Sequence, residues 1–327
     1  MKKTLLKIIY AIQKTTSREG LYSKAIKSLG IERPLCLIDV GSAKGIPSRW
    51  AKVKDIVFAY GFEPDEGARK KLKQNNITEG GGKVDSPFAL SDKKEKIELN
   101  VLKKPSHSSA LEPNNNFINL YTQRHPEGFE LDYKVTVEAS DLDSLEFETK
   151  DFMKIDVQGY ELKVLKGSKE SLEDILGLEI EIEFSELYKN QCSFEEIKVF
   201  LSEKKIDFTD FTSLTRWERD SSKNTLGLCM GGDALFLRTP EYMLETYKND
   251  PQKLSAYLSI CLLYKRHDLI DVTIDLFNLR DDNKYLKFIK ISKVLRRRLN
   301  IADRMSRISN HIVRFFVSDV DSTPMFY

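Results

Sequence analysis

The sequence predicts an α/β fold, in which helices connect the strands of a mostly parallel sheet. From Leu35 onward, short apolar runs alternate with charged, helix-like segments, which is the pattern of parallel strands joined by helical crossovers. A turn with two glycines, GSAKG, directly follows the first run, LCLIDV. Beyond Pro240 the pattern changes to continuous helical periodicity without strands. We therefore expect an N-terminal helical segment over 1–34, an α/β domain over 35–240 and a helical appendage over 241–327.

The composition of the 327-residue chain limits its partners. Lys and Arg total 52 and Asp and Glu total 50, which gives a formal net charge of +2. Because the positive and negative charges nearly cancel, the chain as a whole has no electrostatic attraction to nucleic acid, and we expect no nucleic-acid partner. The cysteines are far apart in sequence, without the spacing of a zinc site or a disulfide framework: Cys36, Cys192, Cys229 and Cys261. We expect reduced thiols and a cytoplasmic location.

The N-terminal residues resemble a signal peptide, but Lys7 interrupts the apolar run and no small-residue cleavage site follows. Apolar residues recur there at helical spacing, which favours docking on the core over contact with a membrane: Leu5, Leu6, Ile8, Ile9 and Ile12. No later stretch approaches the ~20 apolar residues of a membrane span. We therefore expect no transmembrane segment.

The first half of the α/β region predicts three strands and an insertion. PLCLIDV and DIVFAYGFEP are the first two strands, and DSPFALSD is the third. Because Pro87 removes a hydrogen-bond donor, the third strand is expected at an edge. Prolines at 105, 113 and 126 interrupt residues 93–141. We expect an irregular insertion there, of the kind that serves as a lid or substrate loop.

The second half returns to strand character in DFMKIDVQG and LGLEIEIEF, with the helical segment YELKVLKGSKESLEDI between them. SFEEIKVFLSEKK predicts a helix with Ser193 as N-cap and Glu196 three residues later, the spacing of a capping box. IDFTDF and DALFLR predict a terminal hairpin. The appendage predicts a helix pair and a basic helix, KYLKFIKISKVLRRRLN. That basic stripe is more typical of a solvated face or a homo-oligomer contact than of a polyanion site.

The glycine turn indicates a nucleotide pocket without a phosphate cradle. Gly41 and Gly45 let the backbone pass close to a ligand, and Asp39 closes the strand with a carboxylate. Ala43 stands where the dinucleotide fingerprint requires its second glycine, and the Lys-Ser/Thr ending of a P-loop is missing. A pyrophosphate ligand, and with it a nicotinamide oxidoreductase, is disfavoured.

The second predicted strand ends in GFEPD. This ending places Glu63 where a carboxylate can accept hydrogen bonds from both hydroxyl groups of a ribose. A glycine turn after one strand and a carboxylate after the next suit an adenosine ligand such as S-adenosylmethionine. Each motif taken alone is equally well explained by an ordinary strand, turn and helix with a surface glutamate.

Seven motifs follow one another between Leu35 and Arg238: IDVGSAKG, GFEPD, ALSD, HSSALEPN, KIDVQGYELKVLKGS, EIEFSELY and DALFLR. In these motifs the chain resembles the FkbM family of S-adenosylmethionine-dependent methyltransferases. The resemblance implies a Rossmann-like, seven-stranded sheet with an antiparallel last strand. It also implies methyl transfer to oxygen, commonly on sugars or secondary metabolites.

The resemblance also assigns cofactor-binding residues by position. It implies that Asp39, Gly41 and Gly45 belong to the cofactor turn. It also implies that Glu63 binds the ribose and that Ser91 and Asp92 lie beside the adenine. Lys44 departs from the small or polar residue that related sequences carry in this turn.

The position of each residue in the motif KIDVQGYE suggests a role for it. Asp156 ends a central strand, so its carboxylate should face the methyl donor and the acceptor. Gly159 allows a sharp turn, and Glu161 lies in the first helical turn, where its charge favours the helix dipole. Glu161 fits a structural cap as well as a site role.

Three alternating glutamates in LGLEIEIEF share one face of their strand: Glu179, Glu181 and Glu183. Burial of three unpaired carboxylates costs too much free energy, so part of that face must contact solvent or carry ion-pair or hydrogen-bond partners. Glu181 occupies the position of the family's recurring glutamate, and its alternative role is a pairing with Lys163 or Lys166.

Two routes could activate an acceptor hydroxyl. Asp156 could act as general base, with its pKa raised by Glu181 and assisted or replaced by His107 of SHSSALEP. Alternatively, both carboxylates could hold magnesium or manganese, which acidifies the hydroxyl. We prefer the base route, and thus an O-methyltransferase acting on a small hydroxylated acceptor or sugar. The alternative is a non-catalytic partner in a glycan-assembly complex.

Overall fold

The computed structural model describes residues 19–74, 83–219 and 227–298. Contacts divide the chain into two compact units. The sheet unit contains the described residues of 35–47 and 57–239, and the helical unit contains those of 19–34, 48–56 and 240–298. The apolar residues Leu5 to Ile12, predicted to dock on the core, lie outside the described residues.

The strands and helices are numbered in chain order. The strands are β1 (Leu35–Val40), β2 (Val57–Phe62), β3 (Lys83–Ser86), β4 (Ala89–Leu90), β5 (Glu95–Leu102), β6 (Leu131–Ser140), β7 (Phe152–Ile155), β8 (Gly177–Glu183), β9 (Asp207–Phe211), β10 (Thr215–Trp217) and β11 (Leu228–Leu237). The helices are α1 (Glu19–Lys27), α2 (Ser48–Ala51), α3 (Glu66–Gln74), α4 (Asn115–Ile118), α5 (Glu161–Lys166), α6 (Ser171–Asp174), α7 (Phe194–Glu203), α8 (Pro240–Tyr247), α9 (Pro251–Leu263), α10 (His267–Leu276) and α11 (residues 283–298).

The main sheet has the strand order β3-β2-β1-β7-β8-β11-β10. The strands from β3 to β8 are parallel, whereas β11 is antiparallel to β8. β9 and β10 both pair antiparallel with the outer edge of β11, at Phe211↔Ala234 and Thr215↔Gly231, and so occupy one strand position. The predicted seven-stranded sheet with an antiparallel last strand is confirmed. The predicted third strand, DSPFALSD, is divided: its first two residues end β3 at the edge of the main sheet, Pro87 follows β3, and Ala89 and Leu90 form β4 of the second sheet.

Burial explains why the central strands have such apolar sequences. Every residue of β1 is buried, as expected for a parallel strand that is covered on both faces. Its Ile38 packs in one core cluster with Ile155, Ile180 and Phe236 of the neighbouring strands and with Leu201 of α7. α7 begins with the predicted capping box, in which Ser193 and Glu196 exchange hydrogen bonds.

The insertion at residues 93–141 differs from the irregular loop predicted from its prolines. It contains the long antiparallel pair β5 and β6, which joins β4 in a second, three-stranded sheet. The alternation of Ile97, Leu99 and Val101 with polar residues is the sequence signal of this pair. The prolines lie between the two strands or outside them, where they remove no ladder hydrogen bond.

The helical unit is built from α1, α2 and α8 to α11. Trp50 of α2 is fully buried, and its indole N–H donates to the Tyr264 hydroxyl at 3.3 Å. The Arg49 guanidinium lies 4.4 Å from the centre of the Tyr264 ring. Residues 48–56, which connect β1 to β2, therefore pack with residues beyond 240. The domain boundaries 1–34, 35–240 and 241–327 stay a prediction. Within the described ranges, no helix combines the length and apolar character needed to cross a membrane.

Candidate functional site

A cleft opens in the sheet unit at the carboxyl ends of β1, β2 and β7. It encloses about 820 Å³, counting the part that is open to solvent. The second sheet and residues 105–110 form the opposite wall. The lining residues are Val40, Gly41, Ala43, Lys44, Phe62, Glu63, Pro64, Asp65, Ala68, Ala89, Leu90, Ile97, Leu99, Pro105, Ser106, Ser108, Ser109, Ala110, Asp156, Val157, Gln158 and Tyr160.

The residues predicted for the site fall into two groups. Three of them line the cleft: Gly41, Glu63 and Asp156. Six lie outside its lining: Asp39, Gly45, Ser91, Asp92, His107 and Glu181. Their assigned roles stay predictions, and the structure adds the surroundings of each.

The turn after β1 requires glycine at its first position. Gly41 has φ 81° and ψ 48°, and a Cβ atom there would lie 1.9 Å from the carbonyl oxygen of Asp156. Gly45 also has a positive φ, 76°, and its N–H donates to the Ser42 carbonyl. Two adjacent loops, one after β1 and one after β7, therefore touch through a position that has no room for a side chain.

Glu63 follows β2 and is 6% exposed. Its Oε1 atom accepts a hydrogen bond from the Asp65 N–H at 2.9 Å. Burial raises the pKa of Glu63 to about 7, against the lowering effect of that hydrogen bond. The carboxylate is thus close to its point of ionisation at neutral pH and faces a cleft that can hold hydroxyl donors.

Ser91 and Asp92 follow β4, and their side chains bond to neighbouring protein groups. The Ser91 hydroxyl donates to Glu95 Oε1 at 2.7 Å, and Asp92 pairs with Lys163 at 3.0 Å. At this end, the cleft is lined instead by apolar side chains from the second sheet, Leu90, Ile97 and Leu99.

Asp156, directly after β7, lies among two ammonium groups and an amide. Lys154 Nζ lies 3.1 Å from its Oδ2 atom, Lys44 Nζ lies 3.7 Å from the same atom, and Gln158 Nε2 donates to Oδ1 at 2.9 Å. Burial acts to raise the pKa of Asp156, but the Lys154 charge and the hydrogen bonds from Glu181 and Gln158 outweigh it. The pKa is therefore lowered, and Asp156 is ionised at neutral pH.

The pKa of Glu181 of β8 is shifted in the opposite direction. Burial, and then the charge of Asp156, raise the pKa of Glu181 well above its ordinary value. Gln158 Nε2 donates to Glu181 Oε2 as well as to Asp156. The sequence predicted two neighbouring carboxyl groups with one raised pKa, and the raised pKa belongs to Glu181 and not to Asp156.

His107 lies beside the cleft but does not line it. Its ring stacks on Phe129 at 4.1 Å, and among the described residues its buried Nδ1 atom has no hydrogen-bond partner. Burial, with the charges of Lys104 and Lys44, lowers the pKa of His107 to about 4. The imidazole is therefore neutral at pH 7 and is a weak base.

The other glutamates of the two motifs are buried as well. Glu161 Oε1 accepts hydrogen bonds from the N–H groups of Val157 and Gly159, both at 3.1 Å, which is the structural cap of the turn after β7. Glu179 Oε1 accepts from the Thr212 hydroxyl at 2.6 Å. Burial raises the pKa of Glu183 well above its ordinary value. On this face of β8, Glu179 thus has a hydrogen-bond partner, and burial raises the pKa of Glu183 as it raises that of Glu181.

The sequence analysis missed three residues of this network: Lys154, Gln158 and Tyr188. Lys154 lies two positions before Asp156, at the spacing that puts strand residues on one face, and that spacing could have identified it. Gln158 reaches Asp156 through a left-handed backbone conformation, which no strand pattern predicts. The Tyr188 hydroxyl donates to Gln158 Oε1 at 2.8 Å, a contact over 30 positions that no local pattern indicates.

In the part of the chain that the structure describes, no group of three or more His, Cys, Asp and Glu side chains is placed to hold a metal ion. Asp156 and Glu181 are instead partnered by an ammonium group and an amide.

A family profile described as the methyltransferase FkbM domain matches residues 39–208, and curated protein sequences show no match. The methyltransferase FkbM of Methylobacillus flagellatus KT is 13% identical, with a TM-score of 0.37 over 62% of this chain and 43% of that chain. TehB of Haemophilus influenzae is 11% identical, with a TM-score of 0.34 over 66% and 62%. TrmK of M. capricolum, solved with S-adenosylhomocysteine, is 12% identical, with a TM-score of 0.31 over 86% and 96%.

The chain thus spans less than two thirds of the length of the first two structures. The profile match covers more than half of the chain and includes the turn after β1, Glu63, Asp156 and Glu181. On that match, the chain belongs to the FkbM methyltransferase domain family.

Proposed function

We propose that the protein is an S-adenosylmethionine-dependent O-methyltransferase whose acceptor is a hydroxylated small molecule or a sugar, in glycan, polysaccharide or secondary-metabolite biosynthesis. The observation that carries the proposal is the buried carboxylate of Glu63, which lines the cleft at the end of β2 beside the Gly41 turn. Ligands of such sheets bind at the carboxyl ends of the strands, where these two features meet.

The residues present fit this cofactor. Glu63 offers oxygen atoms to two ribose hydroxyls, and Gly41 leaves its turn without a side chain next to the cleft. Leu90, Ile97 and Leu99 offer an apolar surface to an adenine ring. S-Adenosylmethionine carries no phosphate, and the turn after β1 contains neither of the glycine patterns that hold phosphates.

When bound, the cofactor supplies an electrophilic methyl group on a positively charged sulfur. The chain's part is to align an acceptor oxygen with that methyl group and to receive the acceptor's proton. Asp156 is the proposed receiver, because its ionised carboxylate lines the cleft. The oxygen forms a bond to carbon, the carbon–sulfur bond breaks with its electron pair left on sulfur, and the proton passes to Asp156.

The lowered pKa of Asp156 makes it a weak base, so the proton moves only as the new bond forms and the hydroxyl becomes acidic. Before that, the carboxylate orients the hydroxyl by accepting its hydrogen bond. His107 is proposed as an assisting base, in the neutral form that its lowered pKa of about 4 provides.

The test is a transfer assay with methyl-labelled S-adenosylmethionine against nucleotide sugars and cell-envelope extracts, followed by mass spectrometry of the labelled product. We expect a labelled methyl ether. Calorimetry with S-adenosylhomocysteine is run in parallel. A folded protein that binds no S-adenosylhomocysteine at millimolar concentration would refute the enzyme and leave the non-catalytic partner, whereas a label on nitrogen would refute O-methylation alone.

A further inference from the structure

Gln158 connects the two carboxyl groups to the opposite wall of the cleft. Its Nε2 atom donates to Asp156 Oδ1 at 2.9 Å and also to Glu181 Oε2. Its Oε1 atom accepts from the Tyr188 hydroxyl at 2.8 Å, and its carbonyl oxygen accepts from the Ser109 hydroxyl at 2.7 Å. Every polar atom of the side chain is therefore engaged, on a residue that is 9% exposed and lines the cleft.

The backbone of Gln158 lies in the left-handed region, with φ 58°. Residues with a Cβ atom seldom adopt this conformation, and it persists where the surroundings enforce it. The hydrogen bond from Ser109 holds the carbonyl oxygen and the side-chain bonds hold the amide. The whole residue is therefore fixed in direction.

The amide also fixes the plane of the Asp156 carboxylate. Gln158 holds Oδ1, and Lys154 holds Oδ2 at 3.1 Å. An NH₂ group can only donate, and its two hydrogens serve one carboxyl group each. Asp156 therefore keeps one orientation, while Glu181 is held beside it and outside the cleft lining.

The charged groups around this pair come from several elements. Those that act on Asp156, Glu181 or their partner Lys154 are Asp39, Lys44, Glu161, Glu183 and Asp233. The cations among all of these groups are Lys44 and Lys154. The Gln158 amide is neutral, so it donates a hydrogen bond to both Asp156 and Glu181 without adding a charge beside them.

We propose that Gln158 is a positioning residue for methyl transfer, whose amide aims the ionised carboxylate of Asp156 at the place of the transferred methyl group. This inference rests on the proposed function. A carboxylate aimed there would attract a positive charge at the methyl position. It would have little effect on a ligand that is neutral at that position.

Two cofactor analogues distinguish positioning from a merely structural role. S-Adenosylhomocysteine is neutral where the methyl-bearing sulfonium stands, whereas sinefungin carries an amino group there. Calorimetry at pH 7.5 measures both affinities for the full-length wild type, Gln158→Leu and Gln158→Met. The Met variant keeps the length of the side chain if the Leu variant fails to fold. Gln191→Leu is the matched control, because Gln191 bonds to Tyr188 and Ser185 and not to the carboxyl groups.

The wild type should bind sinefungin at least about tenfold more tightly than S-adenosylhomocysteine. The Gln158 variants should reduce this preference at least about fivefold, with the affinity for S-adenosylhomocysteine nearly unchanged. Gln191→Leu should leave the preference unchanged.

Equal losses for both ligands in the Gln158 variants, or no preference in the wild type, would overturn the positioning role. Absence of S-adenosylhomocysteine binding in the folded wild type would instead refute the proposed function.

Discussion

Burial raises the pKa of Glu63 to about 7, so binding at this residue should be coupled to a proton. The ionised carboxylate accepts hydrogen bonds from ribose hydroxyls, whereas the protonated group also donates and competes with them. The affinity for S-adenosylhomocysteine should therefore fall as the pH is lowered from 8 to 5.5. Calorimetry in two buffers with different ionisation enthalpies would measure this fall and the released proton.

The matching variant is Glu63→Gln, which keeps the shape and removes the charge. Its affinity should be at least about tenfold weaker at pH 8, since a charged hydrogen bond contributes about 1.5–3 kcal/mol. The pH dependence should also disappear. Glu66→Gln, in the exposed first turn of α3, is the control and should behave as the wild type. An unchanged affinity in Glu63→Gln would remove this residue from the cofactor site.

Asp156→Asn tests the proposed acceptor of the proton. The amide keeps the shape of the carboxylate and removes its basicity, so kcat should fall at least about 100-fold. The affinity for S-adenosylhomocysteine should change less than about twofold, because that ligand presents no positive charge at the methyl position. The measurements are the labelled-methyl assay and calorimetry. Near-normal turnover would exclude Asp156 from the chemistry, and wild-type activity that EDTA abolishes and magnesium restores would favour the metal route.

At the scale of elements, the turn between β7 and α5 depends on a buried carboxyl group. Glu161 is 1% exposed, and burial raises its pKa from the ordinary value of 4.5 to about 7. The folded state therefore keeps a proton that the unfolded chain loses. This contribution to stability is complete below pH 4.5 and is lost as the pH rises through 7.

Glu161→Gln removes this pH-dependent term and keeps an oxygen for the N–H groups of Val157 and Gly159. Between pH 4.5 and pH 8, the free energy of unfolding of the wild type should fall by about 2–3 kcal/mol relative to the variant. Urea unfolding at both pH values measures the difference. A parallel response of the two proteins would show that Glu161 is already ionised in the folded state.

The elements also show which signals in the sequence were sufficient. β1, β2 and β7 were predicted from nearly continuous apolar runs, and β8 from the alternation of Leu178, Ile180 and Ile182 with glutamates. β5 and β6 were missed because the prolines at 105, 113 and 126 predict an interrupted segment, although these prolines lie between the two strands. The antiparallel last strand came from the family resemblance, since nothing local in IDFTDF or DALFLR specifies which edge each strand joins.

The residues of the candidate site likewise fall into those that the sequence could predict and those that it could not. Gly41, Glu63 and Asp156 follow strand ends, and the rule that ligands meet those ends is sufficient to place them at one cleft. The ion pair of Asp92 with Lys163, the stacking of His107 on Phe129 and the opposite pKa shifts of Asp156 and Glu181 depend on groups that are distant in sequence. Their partners become neighbours only on folding, so no local pattern specifies them.

At the scale of the whole molecule, removal of residues 240–327 tests whether the predicted α/β domain folds alone. Trp50, in the connection from β1 to β2, would lose its contact with Tyr264 and expose a large apolar side chain. We expect a chain ending at Thr239 to have a Tm lower by at least about 5 °C, because a loss of this size exceeds 2 kcal/mol. Thermal unfolding and S-adenosylhomocysteine calorimetry measure the outcome.

Tyr264→Phe in the full-length chain removes only the acceptor of the buried Trp50 N–H and keeps the ring, so it should lower the Tm less than the truncation does. If the shortened chain keeps both the Tm and the affinity of the full chain, the predicted boundary at 240 delimits an autonomous domain.

The connection from β1 to β2 also has a consequence for biosynthesis. Trp50 and its partner Tyr264 are separated by 214 positions. At the usual translation rate, roughly 10–40 s pass between the synthesis of the two residues. During that time β1 and β2 have already been made, but the Trp50 indole between them lacks its Tyr264 partner. The nascent chain therefore keeps this buried hydrogen bond unformed until α9 and Tyr264 have left the ribosome.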